Sequence, residues 1–134
     1  MNAGFLSAGI LGLVATAVHG IAGELLVVRK LSPEALPSTR FGGGRMTMAM
    51  VHVSWHIATS AFLTVAVALL LAGTALDGDV AHAVGLMAAV GATGSAAVAM
   101  VLGGAYTPRA LLRHGGPAAL TVVAALAWLG VALA

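Results

Sequence analysis

The chain has 134 residues, of which 60% are hydrophobic and only 7% are charged. Soluble domains carry about 25% charged residues because their surface faces water, so this composition excludes an ordinary soluble globule and indicates a lipid environment. A formal net charge of +2 is too weak for nucleic-acid binding, and the lack of cysteine excludes disulfides and thiolate metal sites.

Four apolar segments are long enough to cross a bilayer, which takes about 20 predominantly apolar helical residues. The sequence therefore predicts an all-α polytopic membrane protein, a four-transmembrane-helix bundle formed by one domain, residues 1–134. Turn-forming residues separate the segments: a Gly-rich stretch at 42–44, Asp-Gly-Asp at 77–79 and Gly-Gly-Pro at 115–117. The predicted spans are residues 3–28, 46–76, 80–105 and 117–134.

The basic residues predict the orientation of the chain in the membrane. The second loop and both ends contain no Lys or Arg, whereas the first and third loops hold all six: Arg29, Lys30, Arg40, Arg45, Arg109 and Arg113. The positive-inside rule then places loops 29–45 and 106–116 in the cytoplasm and both termini outside, in a bacterial-type cytoplasmic (inner) membrane.

Four ionisable side chains interrupt the first two spans. His19 and Glu24 lie about nine and four residues before the first span ends, while His52 and His56 lie about six and ten residues into the antiparallel second span. At 1.5 Å per residue, these offsets place His19 level with His56 and Glu24 level with His52. Because ionisable groups inside a membrane are costly, the sequence predicts a functional cluster in the cytoplasmic half, provided that the two helices touch.

Helical periodicity predicts which side of each helix faces protein. On the second span, His52 and His56 are one turn apart and share a face with Leu63, whereas Val65 points away. On the first span, His19 and Glu24 lie at the two edges of a face rich in small residues. The opposite face, predicted to contact lipid, consists of Ile10, Val14, Val18, Ile21 and Leu25.

The cluster predicts a metal centre. Three imidazoles and a carboxylate, from His19, Glu24, His52 and His56, form a ligand set suited to zinc, iron or copper. Position 53 is Val rather than the Glu that a zinc-protease motif needs. An alternative is a haem b with His19 and either His52 or His56, the latter at the matching depth, as axial ligands.

The sequence leaves the function open between several classes. No enzyme class is supported, because no nucleophile lies beside a base and no nucleotide-binding loop is present. The leading hypothesis is a small membrane protein that binds a metal ion or haem for redox chemistry, metal handling or a larger membrane assembly.

Two alternatives remain. One is a cofactor-free assembly subunit whose polar cluster only fixes helix packing, with Glu24 reaching Arg29, Lys30 or Arg45; the other is an oligomeric proton-coupled transporter. We expect the lipid bilayer and either further copies or a membrane complex as partners, and no nucleic acid.

Overall fold

The computed structural model describes residues 1–106, 109 and 114–134, so Arg113 in the predicted third loop lies outside the described residues. The described chain is helical apart from its loops, with one isolated bridge between Thr39 and Gly42. The elements, in chain order, are α1 (Ala3–Ala17), a π-helical turn (Val18–Ala22), α2 (Gly23–Leu26), two 3-10 turns (Val28–Lys30 and Pro33–Ala35), α3 (Gly44–Thr74), α4 (Gly78–Tyr106) and α5 (Gly115–Ala132).

The predicted all-α fold class and its four apolar helices are confirmed for the described residues. Four helical stretches are long and apolar enough to cross a membrane, and their ends lie within a few residues of the predicted spans. These stretches are Ala3–Lys30, Gly44–Thr74, Gly78–Ala105 and Gly115–Ala132.

The chain forms two compact units, residues 1–15 with 62–134 and residues 16–61. The core of the larger unit packs small residues from four helices around one aromatic ring. Phe5 of α1 is completely buried, and a Cβ added at Gly85 or Gly130 would collide with its ring. Small residues let helix backbones approach closely. Apolar helices in lipid associate through such close packing, because no hydrophobic force drives them together there. Alanines of α3, α4 and α5 complete this core.

Asn2 joins three helices of the larger unit at one end. Its side-chain Oδ1 accepts a hydrogen bond from the Phe5 N–H at 3.1 Å, which caps the first turn of α1. Its Nδ2 donates to the Gly130 carbonyl at 2.8 Å, and its backbone N–H donates to the Gly73 carbonyl at 3.0 Å. One polar residue therefore satisfies backbone groups of α1, α3 and α5.

The smaller unit contains the end of the first helical stretch, the following loop and the first half of α3. Glycines allow the closest approaches here: Gly20 contacts the Thr59 side chain, and Gly23 contacts the Trp55 ring. A third glycine brings the loop against the start of α3, because a Cβ at Gly44 would collide with the Pro33 carbonyl. These contacts hold the segment that carries His19 and Glu24 directly against α3.

The predicted lipid-facing side of the first helical stretch is exposed, but the face assigned to the far half of α3 is wrong. Val65 packs against the core and Leu63 is 47% exposed, the reverse of the prediction. In the larger unit α3 packs against other helices. The residues that face the core there lie on the side of Leu69 and not on the side of the histidines. The residues of the predicted lipid-facing side, each 50–65% exposed, are Ile10, Val14, Val18, Ile21 and Leu25.

Candidate metal site

Glu24, His52 and His56 come together in the smaller unit. One ligand atom from each lies within 4.8 Å of the others, and the His56 Nε2 lies 3.7 Å from the Glu24 Oε2. His52 and His56 are one turn apart on α3, so both imidazoles project from the same face towards the segment that carries Glu24. The structure therefore brings together three of the four predicted ligands.

The π-helical turn determines where Glu24 points. In this turn the Gly23 N–H bonds to the Val18 carbonyl, five residues back, instead of four. An α-helix would place His19 and Glu24 about 140° apart, whereas a π turn brings residues five apart towards one side. Both side chains consequently contact α3, rather than lying at opposite edges of the helix. Single π turns are frequent at functional sites.

His19 lies against Trp55 rather than within the three-residue group. The two rings stack with their centroids 4.2 Å apart and their planes 10° from parallel. Trp55 precedes His56 directly, and adjacent residues on a helix point about 100° apart. His19 therefore faces a different side of α3 from the one that carries His52 and His56.

The two carboxylate oxygens of Glu24 face different side chains. Its Oε1 accepts a hydrogen bond from the Arg29 Nε at 3.3 Å, and its Oε2 faces His56. The Glu24 side chain is only 15% exposed, while those of Arg29 and His56 are 66% and 58% exposed. Arg29 thus fixes one oxygen and leaves the other directed at the imidazoles.

Three buried atoms near this group have no hydrogen-bond partner among the described residues: the Glu24 Oε2, the His52 Nε2 and the Trp55 Nε1. Buried polar atoms are normally paired, so each such atom requires an explanation. A bound cation would satisfy the carboxylate oxygen and the imidazole nitrogen together. The Trp55 N–H is a donor and cannot serve a cation, so it remains without an explanation.

The separation of the ligand atoms is compatible with a metal ion after small side-chain rotations. Ligand atoms about 2.0–2.2 Å from a tetrahedral metal lie about 3.3 Å from one another, so separations of up to 4.8 Å need to shrink by about 1.5 Å. Two imidazoles and one carboxylate leave at least one coordination position open. That donor set binds zinc in hydrolytic sites and Fe(II) in non-haem sites.

One contact of the site was not predicted, and another was one of three predicted alternatives. The stacking role of Trp55 was not predicted, although a Trp next to a cluster histidine and opposite Gly23 is the signal that indicates it. Arg29 was one of three basic residues predicted to reach Glu24, and the structure selects it.

The other two histidines lie apart from the group. His82 is exposed near the start of α4, and His114 caps α5, its Nδ1 accepting a hydrogen bond from the Gly116 N–H at 3.2 Å.

The chain matches no protein-family model, and it has no significant match among curated proteins or solved structures, so the site is interpreted from its geometry.

Proposed function

We propose that the chain is an integral membrane protein that binds one transition-metal ion, zinc, iron or copper, through Glu24, His52 and His56. The observation that carries this proposal is the convergence of the three residues, with one ligand atom from each within 4.8 Å of the others. In addition, the Glu24 Oε2 and the His52 Nε2 are buried and have no hydrogen-bond partner among the described residues. The open coordination position suits exchange of the ion or binding of a small ligand, which fits metal handling or redox chemistry within a membrane assembly.

The packing around the site favours an ion over a haem. A haem ligated by His19 and His56 needs the space between the segment carrying His19 and α3. Gly20 and Gly23 instead bring that segment into direct contact with α3, and the Trp55 ring stacks on His19. A macrocycle would have to separate these surfaces, whereas an ion needs only side-chain rotation. His19 remains proposed as a fourth ligand that would have to leave its stack on Trp55.

The proposed setting is a bacterial-type cytoplasmic membrane. The support is the length and composition of the four apolar helical stretches, together with the restriction of all Lys and Arg residues to two loops. In this orientation the metal site lies in the half of the membrane next to the cytoplasm, close to the loop that begins at Arg29. Ions would reach it from the cytoplasmic side.

Equilibrium metal binding tests the proposal. The purified chain in detergent is stripped of metal with a chelator and titrated with Zn²⁺ and Co²⁺, and bound metal is measured per chain by mass spectrometry. We expect one ion per wild-type chain, and a loss of affinity greater than about 100-fold in H52A, H56A and E24Q, beyond the loss typical of outer-shell partners.

The matched control is H82A, which removes an exposed histidine of α4 and should bind like wild type. Wild-type affinity in both H52A and H56A would contradict the proposed site. A Soret band in the protein isolated from membranes would instead support the haem alternative. A chain that folds and assembles normally yet binds neither cofactor would support the assembly subunit.

A further inference from the structure

The smaller unit also contains a cavity, which lies on a different part of the surface of α3 from the candidate metal site. It is an open, almost entirely apolar groove of about 600 Å³, within the size range of small-molecule sites. Residues of α3 from Thr47 to Ala58 form one wall, with Phe41 and His19 on the sides. Twelve residues of helix, separated by eleven steps of 1.5 Å, extend over about 16 Å, so the groove is elongated along α3.

The groove begins at the basic loop. Phe41, which lines it, is 64% exposed and lies beneath the Arg40 guanidinium, whose Cζ is 4.8 Å from the ring centroid. Arg40 forms no ion pair with a carboxylate in the described part of the chain. A positive charge without an acidic partner therefore lies at one end of an apolar channel.

This arrangement matches the two parts of a phospholipid. Basic residues at the cytoplasmic surface attract anionic head groups, each contributing about fivefold to affinity, and the first turn of a long helix also favours negative charge. In the orientation proposed above, the groove runs from that surface towards the middle of the bilayer. A neutral lipid would fill the channel equally well but would gain nothing from the charge of Arg40.

We propose that this groove binds an anionic phospholipid, with the head group at Arg40 and the first turn of α3 and one acyl chain along α3 as far as Ala58. The proposal rests on the membrane location proposed above and is independent of the metal site. The lipid would pack against Trp55, whose other neighbours are His19 and Gly23. Trp55 therefore serves as a natural probe of the groove.

Fluorescence quenching by brominated lipids tests the proposal. The chain has two tryptophans, so W128F leaves Trp55 as the single emitter. The protein is placed in phosphatidylcholine vesicles containing increasing fractions of phosphatidylglycerol or phosphatidylcholine with brominated acyl chains. We expect Trp55 to be quenched at a severalfold lower fraction of brominated phosphatidylglycerol than of brominated phosphatidylcholine.

Variants distinguish a specific lipid site from the general attraction of anionic lipids to a positively charged surface. R40Q should reduce the preference about fivefold, and A58L, which narrows the far end of the groove, should reduce quenching by both lipids. K30Q removes the same charge from the same loop and should retain the preference. Equal quenching by the two lipids, or an unchanged preference in R40Q, would overturn the proposal.

The single-tryptophan W55F variant shows which proposal has failed. Trp128 is 42% exposed on α5 and should be quenched by either lipid at high fraction, if the chain is inserted in the bilayer. Quenching of Trp128 without a lipid preference at Trp55 overturns the lipid site alone. Absence of quenching at Trp128 overturns the membrane location, and with it the lipid site.

Discussion

Replacing Gly23 by Ala tests whether the contact with Trp55 positions the metal site. An added Cβ would lie closer to the Trp55 Cζ2 than carbon atoms approach in real structures, and 3.2 Å from Cη2. Ordinary carbon contacts are about 3.5–4.0 Å, so the backbone of this segment or the indole ring has to move by about 1 Å or more. Glu24, the next residue, moves with the backbone.

The expected size of the effect follows from two opposing terms. Overpacking costs about 1–3 kcal/mol, while Gly to Ala in a helix gains about 0.5–1 kcal/mol. The net loss of stability is therefore modest, about 0–2.5 kcal/mol. Metal sites tolerate errors of only about 0.2 Å in ligand distance, so a shift of about 1 Å at Glu24 should lower affinity for Zn²⁺ at least tenfold.

The assay combines zinc titration with urea unfolding of the same detergent-solubilised protein. The matched control is G94A, because a Cβ at Gly94 in α4 meets nothing within 4 Å. The control should bind zinc like wild type and unfold at the same or a slightly higher urea concentration. If G23A binds zinc as tightly as G94A does, the argument that this contact positions Glu24 is refuted.

Three further predictions follow from the fold and the site. A single cysteine at position 38 (S38C) should react with an impermeant maleimide only after intact cells are permeabilised, whereas A75C should react before, and the reverse pattern would invert the proposed orientation. N2A should lower the free energy of unfolding by about 1 kcal/mol or more through loss of the cap, whereas the exposed S7A should change it by less than about 0.5 kcal/mol, and equal urea midpoints would contradict the role of the cap. Because protons compete with metal for imidazole nitrogen, zinc affinity measured by titration should be lower in acidic than in neutral buffer, and a constant affinity would argue against histidine ligation.

The approximate depth of the polar residues could be predicted from the sequence because helical rise is uniform. Counting 1.5 Å per residue from the ends of two antiparallel segments predicted that Glu24 lies level with His52, and a contact followed on the condition that the two helices touch. The four apolar helices could be predicted equally well, since they follow from the length and composition of the apolar segments. Both predictions depend on distance along a helix, which few local irregularities disturb.

Direction around the helix could not be predicted with the same certainty. The π turn at Val18–Ala22 rotates the residues after it, and no residue type specifies such a turn. The stack of His19 on Trp55 depends on this rotation and on the close approach of Gly23. The errors at Leu63 and Val65 have a related origin, because the neighbours of a 31-residue helix change along its length.

X-ray absorption spectroscopy of the zinc-loaded protein identifies the atoms that bind the ion. We expect a first shell of nitrogen and oxygen atoms at about 2.0–2.2 Å, with outer-shell scattering from two imidazoles that falls to one in H52A. A spectrum without imidazole scattering, or one unchanged in both H52A and H56A, would contradict a metal site built from Glu24, His52 and His56.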